Sequence, residues 1–203
     1  MLNHRFVIDV ASDSLRHPVF ERYLHFEGGF VETAIEIVSL AVAKAPTLSD
    51  KRHLIGVLDS LANTQMDYFE RTLSALASKG DGARAASAAS PKVPHDVAAF
   101  VDGMRTLAAE GTYLDIIASM FAAEWMYATW CKRAAESPIS DPVLKEWVAL
   151  HTTDDFLSGA KWLKDELDRH GESPDTTTRR RLSAIFALVM RLEIDFHSAA
   201  YAG

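Results

Sequence analysis

The segment YLDIIASMFAAEWMYATWCKRAA, residues 113–135, limits the fold more than any other stretch of the chain. Apolar side chains nearly encircle it, and a helix that is apolar all round belongs at the centre of a bundle. The flanking segments supply the surrounding helices. Residues 17–44, HPVFERYLHFEGGFVETAIEIVSLAVAK, place apolar residues at three- and four-residue steps through Phe20, Tyr23, Leu24, Phe30, Val31, Ala34, Ile35 and Val38, which predicts a helix with one buried face. Gly28-Gly29 interrupts that pattern. Each glycine costs about 1 kcal/mol against alanine in a helix interior, so the pair marks a close approach or a kink. A second helix is expected from a cap at Ser49 or Asp50 to about Leu76, and a third over roughly 95–110, with Gly111 separating it from the central one. Asp141 as N-cap and Pro142 at the first helical position open a fifth, running through Trp147 to around Leu150. His151-Thr152-Thr153 is expected to kink it before the stretch 154–170, and Pro174-Asp175-Thr176 starts a long last helix. No run alternates as a strand does. The predicted fold class is all-α, with about seven helices.

With 203 residues and 48% hydrophobic content, the chain can bury one sizeable core. A single domain over 1–203 is expected, with 1–14 as an N-terminal extension. Residues 78–94, rich in Gly, Ala and Ser and closing on Pro91 and Pro94, read as a surface loop. A formal charge of -7 argues against a nucleic-acid or anionic-membrane surface, which clustered Lys and Arg would mark. The one basic run, Arg179-Arg180-Arg181, opens the last helix and reads as a solvated face. No apolar stretch is long enough to span a bilayer. The single cysteine, Cys131, excludes an intramolecular disulfide, and the N-terminus MLNHRFVIDVASDS does not read as a signal peptide, so a cytoplasmic protein is expected.

Chemistry is suggested by acids placed where acids are expensive. Glu124 lies in IIASMFAAEWMYATW and Glu193 in LSAIFALVMRLEIDF, and an ionised carboxylate among such neighbours needs partners or a shifted pKa. Glu27 is a third. By helical phase Glu27 shares a face with Tyr23 and Phe30, Glu124 with Met120, Tyr127 and Cys131, and Glu193 with Val189, Phe196 and His197. Carboxylates with an aromatic lining describe a pocket for a flat, nitrogen-containing ring, with proton transfer available. Any one of these glutamates taken alone reads more often as a snorkelling or salt-bridged residue than as a catalyst, with Arg191 close in sequence. Carboxylates and histidines on core helices are also how bundle di-iron sites are built.

The run RHPVFERYLHFEGGFVETAIEIVSLAVAKAP resembles the opening of TenA/thiaminase II proteins; FAAEWMYATW, EWVALHTTDDF and LEIDFHSAAY resemble their later helices, in the same order, so that the likeness covers about 15–201. The resemblance implies a haem-oxygenase-like helical bundle, assembled as a homotetramer or dimer, acting in salvage of the pyrimidine half of thiamin. It implies a small-molecule pyrimidine as partner, with no metal and no cofactor. Glu193 matches the family's C-terminal catalytic glutamate. Glu27 falls where an aspartate usually holds the pyrimidine amine, Phe30 replaces a stacking tyrosine, Tyr127 matches a pocket tyrosine, and Phe100 and His151 fall where many members carry tyrosines. Tyr23 and Phe196 complete the expected lining. Ala122-Ala123 stands where the cysteine class has Pro-Cys, and Glu124 beside it resembles the branch in which a glutamate replaces that cysteine. Cys131, two turns further on, reads as packing. The expected activity is an aminopyrimidine aminohydrolase using Glu193 and Glu124, with Glu27, Phe30, Tyr127, His151, Phe100, Tyr23 and Phe196 binding substrate. Two other readings stay open: a di-iron oxidase built on Glu27, Glu124, His151, Asp155, Glu193 and His197, and a binding protein that keeps the pocket without the reaction.

Overall fold

A computed structural model describes residues 1–79, 93–171 and 175–202. Among them there is no strand, and the helices run in the order α1 (Arg5–Ala11), α2 (His17–Lys44), α3 (Leu48–Ser60), a π-helical turn (Leu61–Gln65), α4 (Met66–Lys79), α5 (His95–Glu110), α6 (Tyr113–Ala134), α7 (Pro142–Leu150), α8 (Asp154–Gly171) and α9 (Thr176–Ala199). The encircled segment is α6, and it is central as its composition requires. It packs against α8 and α9, while α9 also meets α5, and α2 meets α3, α4 and α5. Ile116, Ile117, Ala122, Met126, Trp130 and Cys131 of α6 are wholly removed from solvent. Truncating a fully buried tryptophan such as Trp130 to alanine costs about 3–5 kcal/mol at sites of this kind.

Polar residues set the helix ends. Thr112 and Asp115 form a reciprocal capping box at the start of α6, Asp141 accepts from the amides of Val143 and Leu144 ahead of Pro142, and Asp175 accepts from Thr178 N. The cap of α3 is Thr47, whose hydroxyl accepts from Asp50 N. Neither Ser49 nor Asp50 serves there, because Asp50 is buried and committed elsewhere. It takes the Thr47 hydroxyl at 2.6 Å and pairs with Arg169 of α8 at 3.3 Å. Arg169 also reaches the buried Glu166 at 2.7 Å, and His170 lies 2.9 Å from the other Glu166 oxygen. This ionic knot ties the start of α3 to the end of α8.

Other expectations change in detail. Residues 1–14, an extension in the sequence reading, carry α1, whose Phe6 and Val10 are fully buried. Of the 78–94 stretch, Ser78 and Lys79 end α4, Val93 and Pro94 lead into α5, and 80–92 lie outside the described residues. The helix expected from the Ser49–Asp50 region to about Leu76 runs from Leu48 to Lys79 but contains the π turn, a widened turn that periodicity does not announce. His151–Thr153 ends α7 outright, so the kink is a break between two helices. Gly28 is a close approach: a Cβ there would stand 3.1 Å from the Phe69 ring, whereas at Gly29 it would meet nothing. No helix of the described residues is long and apolar enough to cross a membrane.

Candidate active site

Five helices bring the sequence-predicted residues to one region. α2 carries Tyr23, Glu27 and Phe30; α5 carries Phe100; α6 carries Glu124 and Tyr127; α9 carries Glu193, Phe196 and His197; α7 ends at His151, one turn after Trp147. A cavity of about 950 Å3 opens between α3, the π turn and α4 on one side and α7 and α8 on the other. Glu27, Glu124, Trp147 and His151 line its inner part, together with Tyr68, Phe69 and Met120.

The other predicted residues form the layer around that cavity. Glu193 is 1% exposed, held behind the cavity wall. The hydroxyls of Tyr23 and Tyr127 bond each other at 2.7 Å. Phe30, Phe100 and Phe196 make a run of rings with successive centroids 4.8 Å apart, and this run packs beside the cavity rather than lining it. The structure thus divides the predicted set into two acids and a histidine at the cavity, and one acid with its aromatic supports in the layer behind.

Trp147 is the partner that sequence reading missed. Its indole Nε1 donates to Glu27 Oε2 at 2.6 Å, and His151 Nε2 stands 3.9 Å from the other oxygen of the same carboxyl. The spacing Trp147-x-x-x-His151 puts both on one helical face, which was the available signal. His151 Nδ1 donates to Trp147 O at 2.8 Å, so the nitrogen turned toward Glu27 is the unprotonated one.

The electrostatics follow from burial. Desolvation, reinforced by the charge of Glu124, raises Glu27 to about 8, against the pull of the Trp147 and Tyr23 donors. Burial lifts Glu124 to about 7. Glu193 rises to about 8 through burial first and then the charges of Glu27 and Glu124, with Tyr127 pulling the other way. Burial lowers His151 to about 4, so its ring is neutral. Three acids that exchange protons near neutrality, around one cavity, are equipped for general acid and base work. Among the described residues no three His, Cys, Asp or Glu side chains gather closely enough to hold a metal ion, and Asp155 lies exposed on α8, so the di-iron reading lacks its donor set.

The sequence profile of the TENA/THI-4/PQQC family matches residues 1–203. The chain belongs to that family. It is 25% identical over 201 residues to the aminopyrimidine aminohydrolase of Halalkalibacterium halodurans, a span covering 98% of this chain and 88% of that one. Its structure is similar to a TenA homologue from Pyrococcus furiosus, with a TM-score of 0.86 at 19% identity over 99% of this chain and 92% of the other. It is also similar to a TenA family transcription regulator from Silicibacter sp. TM1040, with a TM-score of 0.81 at 20% identity over 98% and 88%. The fold of this TENA/THI-4/PQQC member is therefore the all-α, haem-oxygenase-like bundle. Within it Cys131 is wholly buried, lies outside the cavity lining, and has its thiol pushed well up by burial and the nearby Glu27. That is the environment of a packing thiol, since a nucleophile needs the thiolate.

Proposed function

We propose that the protein hydrolyses an aminomethyl- or formylaminomethyl-pyrimidine in salvage of the thiamin pyrimidine, with Glu193 and Glu124 as the reacting pair. The observation that carries this is the set of glutamates on α2, α6 and α9, with Glu193 buried and Glu27 and Glu124 partly buried in the cavity wall, each raised into the range where a carboxyl both gives and takes protons. The relationship to an aminopyrimidine aminohydrolase supports the substrate class.

Glu124, in the cavity wall and the most acidic of the three, takes a proton from water. The water oxygen bonds to the methylene carbon of the pyrimidine substituent as the carbon–nitrogen bond breaks. Glu193, protonated at rest one layer behind Glu27 and Glu124, gives its proton to the departing nitrogen, which requires the substituted methylene to reach past the cavity wall to it, so that an aminomethyl substrate leaves a hydroxymethyl-pyrimidine and ammonia. Proton exchange with solvent then resets both acids. Glu27, fixed by Trp147, faces the amine of the ring, and the aromatic layer of Tyr23, Tyr127, Phe30, Phe100 and Phe196 keeps the cluster dry. The scheme needs neither metal nor cofactor.

Incubation with 4-amino-5-aminomethyl-2-methylpyrimidine should release ammonia, and Glu193→Gln should lower the rate by about 10²–10⁴-fold. No turnover, or full turnover in the variant, overturns the assignment. We read the chain as one domain acting in the cytoplasm, as its size and single cysteine suggest, and as a homotetramer or dimer, as the family likeness suggests, with light scattering checking the oligomer.

A further inference from the structure

One turn beyond Glu193 on α9 lies a histidine for which the reaction above has no use. His197 is 0% exposed and sits among aromatic rings, with Phe6, Tyr23, Tyr127 and Phe196 at centroid distances of 5.2, 5.0, 5.8 and 6.0 Å. Its Nδ1 lies 2.7 Å from the carbonyl oxygen of Glu193, which fixes the ring proton on that nitrogen. Nε2 then carries a lone pair that finds no donor, and the Glu193 Oε2 atom is likewise buried without a hydrogen-bond partner. An unpartnered buried polar atom is a standing cost, and an apolar side chain would fill this ring cluster without incurring it. Packing therefore does not account for an imidazole here.

The contrast with His151 shows what it does. Both histidines donate from Nδ1 to the carbonyl four residues back, at 2.8 Å in His151 and 2.7 Å in His197. His151 thereby turns a bare nitrogen toward Glu27. At His197 the donor itself is the nitrogen beside the acid, with Nδ1 3.5 Å from Glu193 Oε2. A carboxylic acid at that position needs no donor, whereas a carboxylate does. Among the described residues His197 is also the only Lys, Arg or His side chain within 4.0 Å of the Glu193 carboxyl.

We propose that His197 is a positioning residue for Glu193: its Nδ1–H, shared between the helix carbonyl and Oε2, holds the carboxylate that remains once Glu193 has delivered its proton. The inference rests on the assignment of Glu193 as the acid. The other groups facing this pair are Tyr23 and Glu27 from α2, Glu124 and Tyr127 from α6, and His4 with the chain's amino terminus at the head of α1. Glu27 and Glu124 oppose ionisation of Glu193, and Tyr127 favours it. His197 is a second donor on the favourable side, a role the sequence does not mark although helical phase already puts it on the face of Glu193.

The experiment is a titration of the Glu193 carboxyl itself, followed by NMR in protein labelled with 13C at the glutamate side-chain carboxyl, with Glu193→Gln identifying the signal. Removing a donor that favours the charged form raises the acid's midpoint. His197→Phe should raise it by about one pH unit or more, and the basic limb of kcat/KM for ammonia release should move up with it. His197→Asn, whose amide can donate from the place of Nδ1, should hold the midpoint near that of the unsubstituted protein. An unchanged midpoint in His197→Phe, or an equal rise in His197→Asn, overturns the proposal. Should the Phe variant not fold, His197→Met fills the space without a donor and makes the same comparison. The titration uses no substrate, so an enzyme inactive on every pyrimidine would count against the function above while leaving this result to be decided by the midpoint alone.

Discussion

Replacing Glu193 by glutamine should make the protein more stable at alkaline pH than at acid pH, relative to the unsubstituted chain. Below pH 4.5 the Glu193 carboxyl is protonated whether the chain is folded or not, and Gln and Glu differ by a constant. Above that value the unfolded chain releases its proton while the folded chain keeps it to about pH 8. The folded state then binds more protons, so stability falls with each unit of pH at up to 1.36 kcal/mol and levels off above about 8. The ceiling over that window is about 5 kcal/mol, and coupling to Glu27 and Glu124 brings it down, since the three acids share the loss. A difference of about 2 kcal/mol is enough to read. In a chain of this size it moves Tm by about 4–8 °C. Thermal unfolding of both proteins at pH 5 and pH 8.5 gives the comparison. The Gln amide adds its own fixed term, from the unpartnered position of Oε2, but that term cancels between the two pH values. A variant-minus-parent Tm difference that is the same at both, or that becomes more negative toward alkaline pH, would refute the claim that Glu193 is protonated by burial.

Trp147→Phe should remove the 2.6 Å donor from Glu27 and raise its midpoint further, by about one to two units; a rise in KM at pH 8 larger than at pH 6 is the measurable sign. Cys131→Ala should leave kcat within about twofold in the ammonia assay, because the thiol is buried away from the cavity. Arg169→Ala should cost about 2–4 kcal/mol in denaturant unfolding, as the wholly buried Glu166 loses a partner whose own guanidinium is half in solvent; Glu166→Gln in the same chain should recover much of it.

The helices were legible because their signals are local. Asp141-Pro142 and Asp175 cap where a short polar side chain before an apolar run should cap. Thr47 was missed in favour of Ser49 and Asp50 because several capping residues cluster there, and only the distant Arg169 decides which of them is free. The three glutamates were visible as acids in apolar helices. Which of them faces open space was not, since Glu124 and Glu193 have equally apolar neighbours in sequence, and their difference arises from the helices laid across them. The same limit hid Trp147: an indole reads as packing until the acid 120 residues earlier is placed beside its nitrogen. α1 was passed over because its seven residues are too few for periodicity to speak, although Phe6 closes the back of the Glu193 layer.

The π turn at Leu61–Gln65 fits one more residue into a turn than an α-helix takes, so the extra residue is absorbed there and α4 continues in phase beyond it. In an unbroken α-helix one added residue would instead rotate everything after it by about 100°. Deleting a single residue such as Asn63 would let the turn close into ordinary geometry and leave Tyr68 and Phe69 on the cavity wall. Phe69 would keep the seat against Gly28 that its ring now fills. The wall of this cavity is therefore buffered against reading length at this point, and a family member one residue shorter here would present the same rings from an unbroken helix.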